Sequence, residues 1–184
     1  MVKKKTKKKV KTTQTRVPAK KKFNWQRPDT WSFGPLATLG PVGYFPKGSG
    51  TVGALVALPI AYFASHISIY LLWTVTLFFL GAGLFAIQQF TVDKTEKDPG
   101  CVIVDEVVGQ LVTFLVVIPQ LMHWPMLFLG FALFRFFDIF KFGLVAYWDR
   151  RKNPVGVMMD DVTAGMFAGF VLAVIQAILV NGID

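Results

Sequence analysis

Three long stretches of this chain carry no charged side chain. Residues 48–92, 107–134 and 162–183 contain no Asp, Glu, Lys or Arg. A helix crosses the hydrocarbon core of a bilayer with about 20 apolar residues, so each stretch is long enough. A soluble bundle would need a charged face on each helix to meet water. These runs have none, and 53% of the 184 residues are hydrophobic. The expected fold is therefore all-α: an integral membrane helical bundle of about five hydrophobic helices.

The count follows from where the runs must turn. As one helix, 48–92 would be about 68 Å long, twice what a bilayer holds. Its polar minimum, Ser65–His66–Ile67–Ser68, is the natural turn. That predicts helix one over 51–65 and helix two over 68–90. Helix one is short and contains Pro59, which suits a tilted or re-entrant segment. Tyr62, Tyr70 and Trp73 flank the turn as interfacial aromatics do. Helix three is expected over 106–121, a turn at His123–Trp124–Pro125, helix four over 126–146 and helix five over 162–181. A Gly- and Pro-rich stretch at 29–50 leads in, and polar segments at 91–106 and 147–161 join the later helices.

Charge divides the chain in two. Residues 1–28 carry twelve Lys or Arg and no acid, while the remainder carries eight bases and eleven acids, a net of −3. So polar a segment cannot bury a core, and 1–28 is expected to be a disordered polybasic tail. Beside hydrophobic spans, such a tail suits anionic lipid headgroups on the cytoplasmic face better than nucleic acid. No apolar run follows its first lysines, as a secretory signal would require. With the tail inside, five crossings bring 91–106, the charged end of helix four and 147–161 to the cytoplasmic side. Arg150, Arg151 and Lys152 then satisfy the positive-inside bias. The domain embedded in the membrane is 29–184.

In this topology every acid from Asp93 to Asp161 lies near one membrane face. Asp105–Glu106 and Asp160–Asp161 fall where helices three and five are expected to start. One acid suffices to cap a helix, so two adjacent pairs suggest a further role. Arg135, Asp138 and Lys141, spaced i, i+3, i+6, share one broad helical face that belongs inside the bundle. Structurally they could form one ion pair, with Asp138 bridging both bases. Asp98 precedes Pro99–Gly100 in a turn, and Asp149 and Arg150 are placed to pair with each other. Asp98, Asp105, Glu106, Asp138, Asp160 and Asp161 form an all-carboxylate set, which suits a hard cation such as Mg²⁺. Arg135, Lys141 and Arg150 could hold a phosphate. The backbone at Gly50 and Thr51, where helix one starts, could donate to the same anion. His66 and His123 fall at the opposite face, which disfavours zinc and histidine chemistry. The lone Cys101 permits no internal disulfide and has no Arg shortly after it to serve a cysteine phosphatase.

The ordered set Gly50–Thr51–Val52–Gly53, Asp98, Val104–Asp105–Glu106–Val107–Val108–Gly109, Phe134–Arg135–Phe136–Phe137–Asp138–Ile139–Phe140–Lys141, Asp149–Arg150 and Gly156 to Gly165 resembles the phosphatidylglycerophosphatase A family. The resemblance covers about 46–170. It implies a multi-pass enzyme of the bacterial inner membrane with its site on the cytoplasmic side. Such an enzyme uses Mg²⁺ to hydrolyse phosphatidylglycerophosphate to phosphatidylglycerol and inorganic phosphate, a step of phospholipid biosynthesis. Asp105, Glu106, Asp138 and Asp161 would be its catalytic acids, and water or a carboxylate its nucleophile. The chain departs from the family in two places. Phe142 stands where the family has Pro after the Lys, so helix four is expected to run on and shift Asp149 and Arg150. The basic tail has no counterpart in the pattern.

Two other classes compete. A small divalent-cation transporter would also carry intramembrane carboxylates, but its charges should run through the bilayer. Another membrane phosphotransferase of the CDP-alcohol type needs an Asp-Gly dipeptide, and the chain has none. Histidine-dependent lipid phosphatases need Ser-x-x-His, which Ser65–His66 does not provide.

Overall fold

A computed structural model describes residues 34–91 and 100–181, and the basic tail and Asp98 lie outside them. Among the described residues the structure is helical, without strands. Helix α1 is one turn, Gly34–Ala37; α2 is Ser49–Ile67, α3 Ile69–Thr91, α4 Val104–Phe114, α5 Trp124–Phe140, α6 Leu144–Asp149 and α7 Pro154–Asn181.

Helices α2, α3, α4, α5 and α7 fall in the regions where apolar helices were expected, but their lengths differ from expectation and not all five qualify as spans. Three, α2, α3 and α7, are long and apolar enough to cross a membrane. Helix α2 is continuous through Pro59 over 19 residues, so it is longer than the 51–65 expected. Helix α4 stops at Phe114 after 11 residues, about 16 Å and too short to span alone. The chain then runs through a 3₁₀ turn at Pro119–Leu121. Pro119 has no N–H to extend a helical ladder, which keeps the helix from running through to 121.

Helix α7 begins eight residues before the expected start. Pro154 occupies its first turn, where a missing N–H costs nothing. Asn153 Oδ1 accepts the Gly156 N–H at 2.7 Å, the bond of a capping side chain. Asp160 and Asp161 therefore lie inside the helix, in its second turn, and are not caps. Their charge had suggested a boundary that the capping chemistry places elsewhere.

The short α4 is the centre of the bundle. It packs against α2, α3, α5 and α7, and Val107, Val108, Leu111 and Phe114 on it are fully buried. The outer surface is apolar, with Phe63, Tyr70, Phe78, Phe170 and Ile178 each more than half exposed. Such a surface is out of place in water and suits lipid. Tyr62 and Trp124 stack at 5.3 Å where the α2–α3 turn meets the start of α5.

Candidate active site

Two glycine contacts bring the helices close enough to gather acids. A Cβ on Gly165 of α7 would run into the Gly109 carbonyl of α4. A Cβ on Gly109 would stand 2.5 Å from the Asp161 carbonyl oxygen and 2.6 Å from Phe134 Cε2. Only hydrogen at both positions lets the two backbones touch. The touch falls one turn from Asp105–Glu106 on one helix and at Asp161 on the other.

Carboxylate oxygens of Asp105, Glu106 and Asp161 consequently lie within 4.8 Å of one another. Asp105 and Asp161 are each only 5% exposed. Asp138, from α5, lies close enough to Asp161 for the two carboxylates to interact. Like charges this close in a buried site repel strongly unless a cation or shared protons offset them. Glu106 Oε2 is buried with no hydrogen-bond partner among the described residues. An orphaned carboxylate oxygen facing two other acids fits a cation ligand, and an all-oxygen donor set fits a hard divalent ion.

The second glycine contact sets the other wall. Gly50 lies against the Glu106 carboxylate, and Gly53 would bring a Cβ within 3.0 Å of Ile103. The first turn of α2 thus lies flat on the first turn of α4. Ser49 Oγ donates to the Gly100 carbonyl at 2.7 Å and ties the start of α2 to the segment leading into α4. Thr51 is half-buried in the same turn of α2.

The other expected residues are arranged around this trio. Arg135 Nη1 pairs with Asp138 at 2.5 Å. Asp138 does not bridge to Lys141, as one structural reading of the stripe had it. Helix α5 ends at Phe140, and Lys141 takes a left-handed conformation, φ 49° and ψ 57°. That conformation costs a residue with a Cβ about 1–2 kcal/mol. The helix stops although Phe142 replaces the family's proline, because Gly143, also at positive φ, turns the chain into α6. Asp149 and Arg150 are thus not displaced along a longer α5. Turned out of the helix, Lys141 Nζ reaches Asp149 Oδ1 at 2.5 Å and Asp160 Oδ2 at 2.9 Å. Partial burial works to lower the Lys141 pKa, but the hydrogen bonds to Asp149 and Asp160 outweigh it and hold it above the ordinary lysine value. The hydrogen bond from Lys141 holds Asp149 below the usual carboxylate range.

Asp160 is engaged through both oxygens, since Oδ1 also accepts the Asp161 N–H at 3.1 Å. It faces the lysine and is not a member of the close trio. Asp149 pairs with Lys141 and Lys152, not with Arg150. Arg150 is exposed, and its Nε donates to the Ala146 carbonyl at 2.9 Å. His66 and His123 sit at the far ends of α2 and α5 from the acids. The sequence reading left out Gln110, one turn after Glu106 on α4. It is fully buried, and neither amide atom has a hydrogen-bond partner among the described residues. An amide early in an uncharged run, one turn from the acid pair, was the available signal.

An all-α membrane-associated bundle with acids from three helices and bases beside them defines a class: phosphoryl-transfer enzymes that pair carboxylates with cationic clamps. The chain belongs to the phosphatidylglycerophosphatase A family, whose model matches residues 35–176, and it is a phosphoric monoester hydrolase. A Haemophilus influenzae protein named phosphatidylglycerophosphatase A is 36% identical over 129 residues, 70% of this chain and 74% of that protein. One of the same name from Escherichia coli is 29% identical, over 71% of this chain and 75% of its own. A Bacteroides thetaiotaomicron protein, named as a candidate phosphatidylinositol-3-phosphatase, is 37% identical over 74% of this chain and 89% of its own. No solved structure gave a significant match.

Proposed function

We propose that the chain hydrolyses phosphatidylglycerophosphate to phosphatidylglycerol and inorganic phosphate, with Mg²⁺, at the cytoplasmic face of a bacterial inner membrane, as a step of phospholipid biosynthesis. The observation that carries this reading is the convergence of Asp105, Glu106 and Asp161 within 4.8 Å, with Lys141 tied to the adjacent Asp160. The trio and Asp138 would hold Mg²⁺, which supplies charge neutralisation for the phosphate and activation of water.

The chain's own residues do the rest. Gly50 and Gly53 keep the Glu106 carboxylate against α2, so it is aimed before substrate arrives. Lys141 donates to a phosphate oxygen and offsets charge on the departing phosphate. Arg135, fixed by Asp138, adds positive charge behind the acids. Thr51 and the first-turn N–H groups of α2 border the same space and can donate to the phosphate. Arg150, being exposed, meets the headgroup from the water side. Asp98 lies outside the described residues and belongs with the acids only on the family pattern. The basic tail contacts anionic lipid headgroups, and nucleic acid is not an expected partner.

The test is phosphate release by the purified full chain in detergent, from phosphatidylglycerophosphate, phosphatidylinositol 3-phosphate and phosphatidic acid, with and without Mg²⁺. Mg²⁺-dependent release with preference for phosphatidylglycerophosphate is expected. Preference for the inositol lipid would move the substrate toward the one named for the Bacteroides relative. No release from any lipid, with cation flux in liposomes, would favour a transporter.

A further inference from the structure

We propose that Asp149 is a positioning residue: it holds Lys141 at the rim of the carboxylate site with one ammonium N–H free for the substrate phosphate, an inference that rests on the phosphatase reading above. A lysine ammonium has three N–H groups. In this structure Asp149 Oδ1 takes one at 2.5 Å and Asp160 Oδ2 a second at 2.9 Å. Asp160 is itself anchored by the Asp161 N–H, so two of the three directions are fixed by carboxylates on different helices.

Exposure gives the arrangement a direction. The Asp160 side chain is 11% exposed, whereas those of Lys141 and Asp149 are 32% and 31% exposed. The ammonium therefore sits between a buried acid beside the trio and a wet acid at the end of α6. A long lysine side chain held by Asp160 alone would keep its freedom to fold onto that acid or swing into water. Asp149 prevents both. Because Lys141 is the first residue past α5 and Asp149 the last of α6, the tie also fixes the short loop between those helices. The third N–H has no carboxylate partner among the described residues, and a phosphate oxygen is the acceptor this proposal gives it.

The experiment is a double-mutant cycle on the full chain in detergent, with Asp149→Asn, Lys141→Gln and both together. If Asp149 acts through Lys141, Asp149→Asn raises KM for the lipid by about tenfold, the scale of one hydrogen bond to a charged group. The double variant is then no worse than Lys141→Gln alone. A second readout needs no turnover: with Mg²⁺ present, inorganic phosphate should raise the Tm of the wild type and raise that of Asp149→Asn clearly less. Asp149→Glu, which can still reach the ammonium, should recover part of both effects. Additive losses in the cycle, or an undiminished phosphate shift in Asp149→Asn, would overturn the proposal. Should the wild type hydrolyse no phospholipid, the phosphatase reading itself fails, and the phosphate shift still judges the Lys141 site on its own.

Discussion

Gly50 and Glu106 share one small space: a side chain on the first would lie on the carboxylate of the second. The glycine at the start of α2 therefore sets where the acid on α4 stands. Gly50→Ala should leave the fold intact, since alanine is favoured over glycine in a helix by about 1 kcal/mol. The added methyl must push the Glu106 carboxylate aside. Phosphate release should fall at least about tenfold, roughly 1.4 kcal/mol of barrier, while the Tm in detergent is maintained or rises. Full activity in Gly50→Ala would mean that Glu106 needs no fixed position.

The acids make opposite predictions for activity and for stability without metal. Asp138→Asn, Asp161→Asn and Glu106→Gln should each lower turnover by at least about tenfold. Each also removes a repelling charge from a crowded, buried site. With chelator present, Glu106→Gln and Asp161→Asn should melt at a higher temperature than wild type. With Mg²⁺, wild type should gain Tm and these variants should gain less, because the stabilisation by a bound ion grows with the logarithm of its affinity for the folded state. Equal Mg²⁺ shifts in all of them would remove these residues from the ion's coordination.

The Lys141–Asp149 tie sets a pH window. Asp149 is held below its ordinary value, so its contribution to stability is complete above about pH 4 and is lost as pH falls through the lowered pKa. Lys141 is held above its ordinary value, so its contribution is complete below about pH 10 and is lost only as pH rises through the raised pKa. The stability difference between wild type and Asp149→Asn should be flat from about pH 5 to 9 and should close in stronger acid. Melting curves across that range measure it. A difference that changes near neutrality would mean that a different group controls the tie.

The basic tail is separate from this chemistry. Deleting residues 1–20 should leave turnover in detergent nearly intact. In vesicles rich in anionic lipid the truncated chain should lose any advantage that the full chain has over neutral vesicles. A tenfold loss in detergent would show that the tail enters the site.

Much of the architecture was legible in the sequence because charge is costly in lipid. The uncharged runs located the helices, and the acids that interrupted them marked one end of the bundle. The failures share a cause. Charge was taken as the edge of a helix, but Asp160 and Asp161 sit within α7, whose start is set by Asn153 and Pro154. Phe142 suggested a longer α5, but Lys141 and Gly143 at positive φ end it. Spacing along one helix put Asp138 between two bases. The left-handed turn at Lys141 sends that lysine to acids 8 and 19 residues further on. Pairings across a tertiary gap have no periodic signature. The Gly50 motif was read as a backbone anion cradle, and its steric contact with Glu106 could not be foreseen without knowing that α2 and α4 meet there.

Gly109 and Gly165 press two main chains together beside the acids, so the width of the opening between Asp105–Glu106 and Asp161 is set by peptide backbone, which yields little. The site behaves as a calliper with a fixed gap. If Mg²⁺ is the ion, as proposed, closely held backbones favour its short, regular bonds over the longer ones of Ca²⁺, about 2.3–2.6 Å.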